Sequence, residues 1–145
     1  MRVEVRSQSF DPWAELARYQ DEASELHGRF GATAVFVGTM RDFNEGDVVH
    51  GMTLEHYPGM TERYLGDISR TAAERWELLD SFIVHRVGEL NPNDPIVLVA
   101  VWSAHRADAF DASRYLMEEL KSRAPFWKKE RLEQGSRWVE HNTPG

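Results

Sequence analysis

Seven consecutive residues, Ile96-Val97-Leu98-Val99-Ala100-Val101-Trp102, carry no charged or hydroxyl side chain. A strand with one wet face alternates polar and apolar residues, so an unbroken apolar run predicts a central strand covered on both faces. That requirement governs how everything else in the chain can be arranged.

The flanking sequence supplies strands and helices in turn. Residues 2–6 read as a short strand with Val3 and Val5 on one face. Asp11 before Pro12 is a helix start, and the helix over 12–26 turns Trp13, Leu16, Ala17 and Tyr19 inward before Gly28 ends it. Residues 32–40 are rich in β-branched and aromatic types, and Gly38 within them predicts a bulge or a close backbone approach. A polar loop over 42–47 leads to a second strand over 48–57, alternating through Val49, Met52, Leu54 and His56, and its length predicts that these two strands pair as a hairpin. The spacing of Tyr64, Leu65, Ile68, Ala72 and Trp76 predicts a helix over 61–76. Strands over 79–87 and 95–102 follow, joined by a turn-rich connection, and then a helix over 105–122 with Ser103 as its cap. Pro125 stops that helix and biases Ala124 to an extended conformation, so 126–130 begins a strand. Residues 137–140 read as a last short strand and 141–145 as a loose tail. Trp13, Trp76, Trp102 and Trp138 are expected in the core rather than as ligand platforms. At 145 residues, with no repeat or linker, the chain is expected to be one domain over 1–145.

Positive charge is distributed unusually. Of 17 basic residues only Lys121, Lys128 and Lys129 are lysine, and all three lie within nine positions. Lysine is a compact cation whose pKa moves on burial, so it can act as acid, base or nucleophile where arginine cannot. The alternative is three surface lysines fallen together. The chain as a whole carries −7, yet residues 121–137 carry +4 and the remainder −11. A local basic site on an acidic body fits a small anionic ligand and argues against nucleic-acid binding. At 100° per residue Met117, Phe110 and Lys121 fall 20°, 40° and about 60° from Arg106, which sets Arg106 and Lys121 along one edge of a buried stripe at opposite ends of the helix. Either could simply snorkel from the edge of the core.

Several classes are disfavoured. There is no cysteine, hence no disulfide framework, thiol nucleophile or cysteine metal site. His56, His85 and His105 come from separate elements without the spacing of a zinc site, so no metal and no cofactor is expected. No Gly-rich phosphate loop and no Gly-x-Ser-x-Gly elbow occurs. No membrane-length apolar run or signal-peptide centre is present, and a cytoplasmic location is expected.

Five blocks together carry a resemblance: Gly-Thr-Met-Arg at 38–41, Leu-Glu-His-Tyr-Pro-Gly-Met at 54–60, His-Arg-Val-Gly-Glu-Leu at 85–90, Ser-Ala-His-Arg at 103–106 and Lys-Ser-Arg-Ala-Pro-Phe-Trp-Lys-Lys-Glu at 121–130. In order and spacing, from about Gly31 to Glu140, they resemble the large, catalytic subunit family of molybdopterin synthase. The stretch 21–29 is longer than usual for that family and the chain ends soon after Trp138. The resemblance implies an α+β fold, mainly antiparallel sheet with packed helices in a hammerhead-like arrangement, that forms a homodimer. It implies a heterotetramer with two small ubiquitin-like subunits, each carrying a thiocarboxylate on a Gly-Gly tail. The reaction implied is transfer of two sulfurs to cyclic pyranopterin monophosphate, giving the dithiolene of molybdopterin, with no metal in the transfer itself. By matching motif, Lys121 and Lys128 would be catalytic, Arg41, His105 and Arg106 would bind substrate, Phe36 and Met117 would help line the pocket, and Arg137 would contact phosphate. Two other readings stay open at this point: a scaffold that docks a ubiquitin-like tail without catalysis, and a binder or hydrolase of another phosphorylated small molecule.

Overall fold

The computed structural model describes residues 1–44, 46–132 and 135–139. In chain order its elements are β1 (Arg2–Arg6), α1 (Pro12–Glu22), β2 (Ala32–Thr39), β3 (Phe43–Asn44), β4 (Asp47–His56), α2 (Met60–Trp76), β5 (Asp80–Arg86), β6 (Gly88–Leu90), β7 (Pro95–Ser103), α3 (Arg106–Arg123), β8 (Phe126–Leu132) and β9 (Gly135–Trp138). The apolar run is β7, and it is central as expected. It lies between β5 and β2 in a sheet of order β1-β5-β7-β2, antiparallel to both neighbours, while β1 runs parallel to β5.

Successive side chains of a strand point to opposite faces, and β7 feeds two cores this way. Val97, Val99 and Val101 join Ile83 and Ala34 against Leu65, Ile68 and Ala72 of α2 and Ala109, Leu116 and Leu120 of α3. Leu98, Ala100 and Trp102 join Phe82 and Val84 against Phe10, Tyr19, Ala23 and Leu26. Each fully buried large side chain contributes about 1.5–3 kcal/mol, which is why the run from Ile96 to Trp102 is apolar throughout. Trp102 keeps its one polar atom satisfied by donating Nε1–H to Gln20 Oε1 at 3.0 Å. A second sheet of order β3-β4-β8-β9, with β6 paired to β4, closes over Met40, Val49, Met52, Leu54 and Leu90.

Several expectations are corrected. The strands around the 42–47 loop do not pair with each other: β2 pairs with β7, and β4 pairs with β8 and β6. The end of β2 is instead tied to the turn before β7, where Met40 N–H donates to Asp94 O at 2.9 Å and Asn93 N–H donates to Met40 O at 2.9 Å. The loop satisfies itself with the short β3–β4 hairpin. The helix over 12–26 ends at Glu22, and residues 24–26 form one tighter turn. Asp11 does cap it, accepting from Trp13 N–H at 3.0 Å and Ala14 N–H at 3.3 Å, but Trp13 and Ala17 face outward and only Tyr19 of that set is buried. Trp138 is exposed as well. The third helix begins at Arg106 with His105 as its cap residue and no side-chain cap bond, so Ser103 is not the cap. Phe110 is 67% exposed, because the buried stripe of α3 runs through Ala109, Ala112, Leu116 and Leu120, about 100° around from it.

Elsewhere the periodicity holds. The break in alternation between Val49 and Met52 is a register shift between Val49 and Gly51 that keeps both side chains inward. Gly38 sits at a register shift too, in keeping with its place in a strand. Ala124 is extended at φ −63°, ψ 137°, as the following proline requires. The last strand ends at Trp138, and the residues expected beyond it, Glu140 and the 141–145 tail, lie outside the described residues, as do Glu45, Glu133 and Gln134.

Candidate active site

The chain reversal at Pro125 brings the last turn of α3 against β8. Lys121 projects from the helix and Lys128 from the strand into one cavity of about 460 Å³. Phe36 to Thr39 of β2 form another wall, and His85, Phe126 and Trp127 are among the other residues of the lining. β8 alternates as a strand should: Lys128 and Glu130 point inward, while Lys129 lies exposed with its Nζ 5.5 Å from the centre of the Trp138 ring.

The electrostatics mark the pair. Burial pushes Lys121 below its ordinary value; hydrogen bonding with Lys128 opposes that shift, and the Arg41 charge adds to it. Burial likewise pushes Lys128 down, to about 8, and the Lys121 charge lowers it further while Glu130 pulls it up. Two half-buried amines within hydrogen-bonding reach cannot both hold a proton as easily as one in water, and hydrogen bonding within the pair favours the proton on Lys121. The result is a pair of amines that both give up a proton more readily than an ordinary lysine.

Other expected site residues are distributed unevenly. Phe36 lines the cavity and Arg41 lies near enough for its charge to act on Lys121. Met117, one turn before Lys121, is half-buried and packs against the first core rather than the cavity. Arg137 donates Nε–H to the buried carboxylate of Glu130 at 3.0 Å and Nη2–H to Asn44 O at 2.9 Å, and Asn44 Nδ2 also donates to Glu130 at 3.0 Å. In this chain, then, Arg137 serves the buried carboxylate below Lys128. His105 and Arg106 are exposed at the start of α3. Fifteen residues of helix separate Arg106 from Lys121, about 22 Å along the axis, so one chain does not bring them to its own cavity.

The sequence assigns His85 no catalytic or binding role, only a place in the 85–90 block and on a strand, yet the residue lines the lysine cavity. Its signal is its place in phase with Ser81 and Ile83, on the face of β5 that turns toward the first core. Among the described residues no group of three or more His, Asp or Glu is placed to hold a metal ion. No described helix is long and apolar enough to cross a membrane.

Comparison with known proteins places the chain in a family. The family model described as MoaE protein matches residues 6–123. A molybdopterin synthase catalytic subunit from Pseudomonas aeruginosa is 51% identical over 143 residues, covering 97% of this chain and 91% of its own length. The crystal structure of molybdopterin synthase from Staphylococcus aureus superposes with a TM-score of 0.84 at 34% identity, over 95% of this chain and 96% of that one. A complex of subunits 1 and 2 of molybdopterin-converting factor from Helicobacter pylori shares the fold, with a TM-score of 0.80 at 20% identity over 97% of this chain and 92% of that one.

Proposed function

Because the chain belongs to the MoaE family of molybdopterin synthase catalytic subunits, enzymes of molybdenum cofactor biosynthesis, we propose that its lysine cavity is where sulfur is transferred to cyclic pyranopterin monophosphate. The sulfur donor in this reading is the C-terminal thiocarboxylate of a small ubiquitin-like subunit with a Gly-Gly tail. The Helicobacter pylori neighbour, a complex of two subunits of molybdopterin-converting factor, supports such a partner.

The observation that carries the proposal is the convergence of Lys121 and Lys128, under the Arg41 charge, in one cavity. Donor and acceptor are both anions, so bringing them together needs fixed positive charge in a partly dry site. As sulfur bonds to the pterin carbon, the carbon–oxygen bond to the cyclic phosphate breaks and the departing oxygen gains charge. An ammonium whose pKa lies near 8 is a better acid at neutral pH than an ordinary lysine. Arg41, always charged, supplies the phosphate contact that a guanidinium makes well.

His105 and Arg106 belong to this reading through a second copy of the chain. We infer a homodimer in which α3 of one protomer presents its N-terminal end to the cavity of the other, with one small subunit at each cavity. The test of the whole reading is sulfur transfer from a thiocarboxylated partner to the cyclic pterin, read by mass spectrometry. Lys121→Ala and Lys128→Ala should each lose about a hundredfold or more in rate, and Lys129→Ala, on the outer face of β8, should stay within a few-fold. Near-normal turnover by both of the first two variants would return the chain to a docking scaffold.

A further inference from the structure

His85 is only 4% exposed, yet it stands in the wall of the lysine cavity. Its ring stacks on Phe126 with centroids 3.8 Å apart and planes 16° from parallel. Nδ1 lies 2.8 Å from the backbone carbonyl oxygen of Arg86. A carbonyl oxygen only accepts, so Nδ1 carries the proton, and in the neutral ring Nε2 presents a bare lone pair. Among the described residues the buried polar side-chain atoms left without a partner belong to Glu62 and Arg86, not to His85. The ring lines the same cavity as Lys121 and Lys128, whose charges act on it.

The surroundings keep the ring neutral. Burial pushes His85 down to about 3 against the pull of the Arg86 carbonyl, and the charges of Lys128, Lys121 and His56 push the same way. Those three are the titratable groups facing it, from β8, α3 and β4, while its register neighbours on β1 and β7 are the apolar Val5 and Val97. Arg41 and Glu130 act one step away, on Lys121 and Lys128 respectively. The cavity thus contains an obligate acceptor set among cations.

We propose that His85 is a positioning residue of the sulfur-transfer site, its Nε2 accepting a hydrogen from the Lys128 ammonium and aiming that amine into the cavity. The inference rests on the reading that Lys128 acts there. An ammonium has three N–H groups, so a bond to His85 is compatible with other partners, including Lys121 and substrate. A carboxylate in the same place would also orient the amine, but it would cancel the positive charge that draws two anions together. A neutral imidazole orients without that loss.

The chain has only three lysines, so 13C labelling at Lys Cε gives three resolvable titrations in the intact protein, with exposed Lys129 as internal reference. His85→Asn keeps an N–H for the Arg86 carbonyl but lacks an Nε2 acceptor; His85→Phe keeps the stacked ring. Both should lower the Lys128 midpoint by about one pH unit, the effect of losing a hydrogen bond to the charged form, and leave Lys129 unmoved. Turnover should fall about tenfold with KM little changed. An unmoved Lys128 midpoint in either folded variant overturns the proposal. A 15N spectrum of the unmodified protein decides the matter even if both variants misfold: Nε2 should be the unprotonated nitrogen, and its resonance should move in Lys128→Ala. A protonated Nε2, or a resonance indifferent to Lys128, refutes the role. If Lys128→Ala is inactive while Lys128 titrates independently of His85, the sulfur-transfer reading stands and only this inference is lost.

Discussion

At the scale of single residues, burial is the term that makes ordinary side chains functional here, and it acts with opposite consequences on two of them. For Lys128 it brings the pKa to about 8, so if the ammonium is the acid, turnover should be flat at neutral pH and fall as pH rises through about 8. A rate that instead rises through that pH would make the free amine the reacting form. For His85 the same cost appears as stability. The unfolded ring titrates near 6.5 and the folded ring at about 3, so the unfolded chain binds more protons between those values. Stability should therefore drop by up to a few kcal/mol as pH falls from about 6.5 toward 3. In His85→Asn the urea midpoint should show a shallower drop over the same range, and an identical slope would mean that His85 is not the group responsible. The lysines are legible in the sequence because lysine is otherwise absent from the chain. His85 is not, because an inward histidine on a buried strand has the sequence appearance of a core residue, and only the fold shows that this stretch of core is a cavity wall.

Among the elements, the strands are legible individually and their partners are not. Periodicity reports which face of a strand is buried, and β7, β8 and α2 are readable on that basis; pairing depends on which surfaces must be covered together. β2 and β4 are close in sequence, but β7 needs apolar neighbours on both edges, and β2 supplies one of them while β4 closes a different core. The junctions that enforce this choice are tight. A Cβ on Gly31 would run into the carbonyl oxygen of Ala104 just after β7, at the point where Gly31 N–H donates to Ser103 O at 3.0 Å. Backbone cannot swing aside as a side-chain tip can, so Gly31→Ala should cost about 1–3 kcal/mol by urea denaturation. Gly51→Ala is the contrasting case. The three atoms nearest its Cβ all belong to the Arg131 guanidinium, the far end of an exposed side chain, so the loss should be well under that of Gly31→Ala. Equal losses at the two positions would show that strand pairing, rather than the β2–β7 junction, sets the cost. Phe110 departs from expectation for a related reason: one helix can carry two candidate stripes, and the choice of Ala109–Leu120 over the Arg106–Lys121 edge is made by the sheet beneath it.

At the scale of the whole molecule, α3 poses a geometric problem that the proposed second copy would solve. Its C-terminal end delivers Lys121 to the cavity, and its N-terminal end carries Arg106 and His105 exposed, about 22 Å away along the axis. A small anionic substrate cannot touch both ends of one such helix. In a two-fold dimer each surface patch meets its symmetry-related counterpart reciprocally, so the free end of each α3 can complete the opposite cavity. The consequence is testable without a structure of the dimer. Lys128→Ala and Arg106→Ala chains should each be nearly inactive as homodimers. Mixed by co-refolding, they form heterodimers in which one cavity has an intact lysine and receives an intact Arg106, while the other lacks both. Random pairing leaves about a quarter of all cavities intact, so mixing should restore about a quarter of the normal sulfur-transfer rate. If each chain instead used its own Arg106, every cavity in the mixture would carry one defect and no activity would return. Native mass spectrometry confirms that heterodimers formed. Heterodimers without recovered activity would refute sharing of the site, and a monomer mass with and without the small subunit would remove the dimer itself.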